Sequence, residues 1–130
     1  MAESTLQQSP FWNYINMKEM VSKDGYGEVE ISVFPDLLQR RGHVHGGVIA
    51  TLVDASIGCA IRSLLKENEI SATIELKTNY LRPAISAKLV GKAQIVQRGR
   101  SIAVGETKVW DEEGKLIAMG TATFNIKEKG

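Results

Sequence analysis

Between Gly46 and Ala60 the chain carries one charged side chain, Asp54, in the run Gly46-Gly47-Val48-Ile49-Ala50-Thr51-Leu52-Val53-Asp54-Ala55-Ser56-Ile57-Gly58-Cys59-Ala60. An ionised carboxyl in so apolar a setting is costly unless a partner or a task compensates its desolvation. The run reads as a helix that is apolar on every side and should be buried, and burial should raise the pKa of Asp54. It opens on two glycines preceded by His45. Backbone N–H groups in the first turn of a helix are unpaired and sit at its positive end, and glycine has no side chain to hold a ligand oxygen away from them. Gly46 and Gly47 can therefore polarise a carbonyl. Asp54, about two turns further on, has Ala50 and Gly58 one turn away, which leaves room beside the carboxylate. Donors for a carbonyl oxygen, with an acid that delivers water, are what cleavage of an activated acyl group requires. Asp54 could attack the carbonyl directly or act as general base on water, and the residue types allow both. A merely structural Asp54 would be satisfied by hydroxyls such as Thr51 or Ser56.

Other chemistries find less support. No Gly-x-Ser-x-Gly elbow accompanies His45, so a serine triad is not expected, and its ring suits an orienting hydrogen bond in the glycine loop. His43 and His45 stand two residues apart without a third His or Cys ligand nearby, which implies no metal site. No phosphate-binding loop or dinucleotide fingerprint occurs, so ATP and NAD are not expected. The single cysteine, Cys59, reads as a small core residue and cannot form an intramolecular disulfide.

The elements that must position these residues follow from periodicity and turn signals. With 130 residues, 43% hydrophobic and 24% charged, the chain suits one domain, residues 1–130, with 1–9 as a flexible tail. A net charge of +1 provides no global field for nucleic acid or an anionic membrane. The polar, acidic N-terminus lacks a secretory pattern and no segment is long enough to span a bilayer, so a cytoplasmic location is expected. Ser9-Pro10 reads as the start of a short helix through Ile15. Lys23-Asp24-Gly25 is a turn, and residues 28–33 alternate as a strand. A loop over 37–45 leads into the long helix, which ends near 62–66 beside Arg62 and Lys66. Strands are expected over 73–81, 88–97, 101–110 and 116–126, the last three as an antiparallel meander. A helix too apolar to lie exposed on a sheet calls for a strongly curved antiparallel sheet wrapped around it. This is an α+β architecture whose open edges dimerisation would cover.

These features resemble the hotdog fold, and within it the small acyl-CoA thioesterases of the phenylacetic-acid-degradation and 4-hydroxybenzoyl-CoA thioesterase type. The resemblance rests on His45-Gly46-Gly47, the hydrophobic run to Asp54, and the strand Thr73-Ile74-Glu75-Leu76-Lys77-Thr78-Asn79-Tyr80-Leu81-Arg82-Pro83-Ala84. It implies hydrolysis of an acyl-CoA thioester with coenzyme A as part of the substrate and no other cofactor. It also implies a homodimer, commonly paired into a tetramer, in which the carbonyl held at one subunit's glycines meets the acid of the partner's helix. By the same resemblance, Gln39 donates an amide hydrogen bond to the thioester or to water, and Thr73 orients water. The phosphates of coenzyme A call for local cations, for which Arg82, Arg98 and Arg100 are the candidates. A hydratase or dehydratase acting on acyl thioesters, and a non-catalytic acyl-CoA binding module, are the competing expectations.

Overall fold

In the computed structural model, which describes residues 9–130, the chain begins with a capped turn of helix. Residues 1–8, most of the expected tail, lie outside the described part. Ser9 Oγ accepts the Trp12 N–H at 3.4 Å and Pro10 occupies the first turn of α1 (Pro10–Tyr14), so cap and proline act as expected and bury Trp12.

Two strands follow where one was expected. β1 (Met17–Lys23) and β2 (Tyr26–Ser32) form a hairpin whose turn residues, Asp24 and Gly25, both have positive φ, 53° and 80°. That is the backbone a two-residue turn between right-twisted strands needs. β1 escaped sequence reading because Lys18, Glu19 and Lys23 break its apolar pattern. A bulge between Glu19 and Val21 also shifts its faces out of a period of two.

The long helix, α2, spans Gly46–Arg62. Strands β3 (Glu69–Tyr80), β4 (Lys88–Arg98), β5 (Ile102–Asp111) and β6 (Leu116–Glu128) follow, each within a few residues of its expected bounds. All six strands form one antiparallel sheet in the order β1-β2-β4-β5-β6-β3, and α2 touches every one of them. This is the curved sheet wrapped round a helix that the apolar run demanded, and the β4-β5-β6 meander is as expected. The sheet comes very close to the helix. A Cβ on Gly27 would lie 2.5 Å from Ala60 N and from Ser56 O, and one on Gly91 would lie 2.9 Å from Ser56 Oγ. Glycine is needed at both for that close approach. Ser56 itself is fully buried and shares a 2.8 Å hydrogen bond with the Thr107 hydroxyl of β5, which satisfies both groups.

The helix is not buried on every side. Ile49, Leu52, Val53, Ala55, Ser56, Ile57, Cys59, Ala60 and Ile61 face the core, whereas Ala50, Thr51, Asp54 and Gly58 form a half-buried stripe. That stripe adjoins β3, the last strand of the sheet. β3 has an unpaired edge, and Ile70, Ile74, Leu76 and Tyr80 on it are all exposed.

Candidate active site

Asp54 enters the site from the open stripe of α2, and its carboxyl is held by β3: Thr73 Oγ donates to Oδ1 at 2.8 Å. The hydroxyls named as structural partners are engaged elsewhere. Thr51 Oγ donates to Gly47 O at 2.8 Å, and Ser56 is bonded to Thr107 and Val53 O. Burial pushes the Asp54 carboxyl above its ordinary value of 3.8, and the Thr73 hydrogen bond partly opposes this by favouring the ionised form. A half-buried acid with, among the described residues, one donor and no cation on it is held nearer neutrality than a surface aspartate. Beside it opens a cavity of about 680 Å³, lined on its apolar side by Trp12, Ala55, Gly58, Leu65, Ile70 and Phe124.

At the other chemical point, the start of α2, His45 is the N-cap, and its Nδ1 accepts the Gly47 N–H at 2.8 Å. This corrects the expectation that both glycine N–H groups are free for a ligand. Gly47 is engaged, and among the described residues Gly46 N–H has no partner. The space beside the two glycines is likewise filled. A Cβ on Gly47 would lie 3.1 Å from His45 Nδ1, and one on Gly46 would lie 3.3 Å from Tyr80 Oη. The glycines admit these two rings rather than leaving empty room on that side. Tyr80 Oη also donates to Gly46 O at 2.7 Å. Sequence reading passed over Tyr80. Its only signal was its place in the strand after the helix.

Gln39 comes to this end of the helix with Gly46, Tyr80 and Arg82, all four lining a cavity of about 320 Å³. Its Oε1 accepts the Arg41 N–H, which leaves its amide NH2 as the available donor. The structure separates the three arginines. Arg82 borders the Gly46 cavity, but Arg98 pairs with Glu69 at 2.5 Å and donates to Gly99 O at 2.7 Å, near the C-terminal end of α2. The Lys66 N–H and then the Arg98 guanidinium hold the Glu69 carboxyl below its ordinary range. Arg100 lies exposed in the β4–β5 turn. Within one chain, then, Arg82 stands apart from Arg98 and Arg100, and of the three nucleotide-end candidates Arg98 is already paired with Glu69.

Among the described residues no group of His, Cys, Asp or Glu is arranged to hold a metal ion, and no helix is long and apolar enough to cross a membrane.

Known proteins resemble this chain in sequence and in fold. The sequence pattern of the Thioesterase superfamily matches residues 41–118, which run from the glycine loop through α2 into β6. A 1,4-dihydroxy-2-naphthoyl-CoA hydrolase from Listeria monocytogenes is 32% identical over 114 residues, covering 85% of this chain and 91% of that protein. A Halobacterium salinarum protein that bears a provisional esterase name is 38% identical over 94 residues, covering 66% of this chain; the chain spans 62% of its length. A Bacillus halodurans protein solved with CoA superposes with a TM-score of 0.75 at 33% identity, covering 77% of this chain and 66% of that one. With the helix, its glycine start and its acid in place within the matched region, the chain belongs to the thioesterase superfamily and has its hotdog fold.

Proposed function

We propose that the protein is an acyl-CoA thioesterase that converts a thioester and water to a carboxylic acid and free coenzyme A, in a site built between two copies of the chain. The observation that carries this reading is a distance. Asp54 and the unclaimed Gly46 N–H stand eight residues apart on one helix, roughly 12 Å at 1.5 Å per residue. A carbonyl whose oxygen is hydrogen-bonded to Gly46 cannot also lie within about 3.5 Å of Asp54 of the same chain. A two-fold axis at the β3 edge solves this. It pairs the exposed edge, covers Ile70, Ile74 and Leu76, and sets two α2 helices antiparallel, so that the start of one meets the open stripe of the other.

In that arrangement Gly46 N–H, with the Gln39 amide, stabilises the oxyanion that forms at the thioester carbonyl. Asp54 of the second copy either adds to the carbonyl carbon, expelling the coenzyme A thiolate and leaving an anhydride for water to cleave, or removes a proton from the attacking water. Thr73 fixes the carboxylate in both cases. The cavity beside Asp54 takes the acyl group, and Arg82 offers a cation to the nucleotide end. The hydrolase named for a naphthoyl-CoA and the structure solved with CoA support this substrate class.

The test is thiol release from a panel of aryl- and alkyl-CoA thioesters by wild type and Asp54→Asn, with ligand binding followed in parallel. Cleavage lost while binding persists is the expected result. A wild type that binds but releases no thiol would overturn it. Mixing Asp54→Asn with Gly46→Ala chains should restore activity, because one of the two sites in a mixed dimer is then intact.

A further inference from the structure

We propose that Tyr80 is a positioning residue for the Gly46 N–H, acting by clamping the peptide group between Gly46 and Gly47. The inference rests on the thioesterase reading for its catalytic meaning and on hydrogen bonds for its geometry. Three peptide groups meet at the start of α2, and each polar atom but one is held. The carbonyl of His45 accepts the N–H groups of Val48 and Ile49 at 3.0 and 3.3 Å. The carbonyl of Gly46 accepts Tyr80 Oη–H at 2.7 Å, and the N–H of Gly47 in that same peptide donates to His45 Nδ1 at 2.8 Å. The carbonyl of Gly47 accepts Thr51 Oγ–H at 2.8 Å. Gly46 N–H is left.

Glycine has the freest backbone of any residue, and a first helical turn frays readily, so an N–H borne by glycine at that position would by itself sample many directions. Pinning the following peptide from both its edges removes that freedom. Tyr80 contributes from outside the helix. Its Oη, Cε1 and Cζ fill the space a side chain on Gly46 would occupy, at 3.3, 3.4 and 3.4 Å from the Cβ position. Glycine at 46 is what admits the ring. The same strand also holds the acid: Thr73 near the start of β3 bonds Asp54, and Tyr80 at its end bonds Gly46. β3 thus holds on one element the donor that α2 gives to one site and the acid that it gives to the other, and each is preorganised for a transition state that tolerates little misplacement.

Tyr80→Phe tests this because it keeps the ring and removes only the donor. The expected result is a fall in kcat of about tenfold with KM changed less than about twofold. Amide hydrogen exchange at Gly47 should rise by a similar factor as its peptide is released. Tyr80→Leu, which also empties the space beside Gly46, should lower kcat further, and restoring Tyr should return both readouts. Wild-type kcat in Tyr80→Phe, unaltered exchange at Gly47, or dissociation of the assembly by that substitution would each overturn the proposal. Exchange at Gly47 is read without substrate. A wild type inactive on every thioester would therefore remove the thioesterase reading while the clamp itself was still judged.

Discussion

The two ends of α2 are built on opposite plans. At the C-terminal end, beside the larger cavity, the polar groups are mostly paired within the chain. Arg62 pairs with Glu19 at 2.6 Å, Ser22 Oγ donates to Cys59 O, Ser63 Oγ donates to Ala60 O, and Arg98 pairs with Glu69 a few residues on. Cys59 is shut in beside them. Burial and then the neighbouring Glu19 push its thiol far up, so it stays an unreactive core residue. At the N-terminal end the side chains are arranged to leave one donor, Gly46 N–H, unclaimed, and the middle of the helix leaves one acid on an open stripe. The comparison teaches where to look for chemistry in a small fold. Of the charged side chains at the C-terminal end, Arg62 binds Glu19 and Arg98 binds Glu69, and a group already satisfied has little to offer a substrate.

Substitutions at the two ends should therefore separate catalysis from stability. The largest effect is expected from Asp54→Asn, a loss of at least about a thousandfold in kcat/KM, since Asp54 is the one acid that the open stripe of α2 carries. The fold should not suffer. The raised carboxyl pKa means that ionising Asp54 costs folding free energy, so this contribution is fully favourable below the unfolded value of 3.8 and is lost as pH rises through the folded value. Asp54→Asn should thus raise stability slightly at pH 7, by less than about 1 kcal/mol because the group keeps solvent contact, read as a small rise in melting temperature. A large drop in stability would make Asp54 a structural residue and erase the contrast.

Gly46→Ala should come next. Its methyl would lie 3.3 Å from Tyr80 Oη, and pushing that ring aside should lower kcat by about ten- to a hundredfold, measured by thiol release. In pH profiles of kcat/KM the acid limb should fall at a pH above 3.8, as Asp54 is protonated on lowering pH, and Thr73→Val, which removes a donor to the ionised form, should move that limb higher still. A limb unmoved by Thr73→Val would mean that another group sets it.

The smallest catalytic effect is expected at the C-terminal end. Arg98→Met should leave kcat unchanged and lower the melting temperature slightly, since Glu69 then keeps only the Lys66 N–H. Arg82→Ala should do the reverse, raising KM for acyl-CoA several-fold with little change in melting temperature. Equal effects of the two on KM would return Arg98 to the nucleotide site.

Much of this was legible beforehand, for identifiable reasons. The long helix announced itself because fifteen residues, Gly46 to Ala60, hold a single charge, and the later strands because Arg82-Pro83, Gly99 and Gly114 punctuate them. Strand β1 was not, since a bulge and three charges hide its period. The glycine pair was read as bare donors, whereas each stands close against a ring, one from His45 beside it and one from Tyr80, thirty-four residues away in the chain. The arginines could not be sorted by sequence, because an Arg in a turn looks the same whether or not a Glu lies within reach.

By itself, then, the sequence determined the local choices: a helix that opens on Gly46, an acid two turns along it, and alternating strands enough to enclose it. These depend on neighbours a few residues apart, where spacing translates directly into a shared face. Which donors stay free, which arginine is occupied and which hydroxyl holds Asp54 was decided by the tertiary structure alone. Those answers depend on contacts between α2 and strands far along the chain, made when the sheet closes round the helix and leaves β3 at its edge.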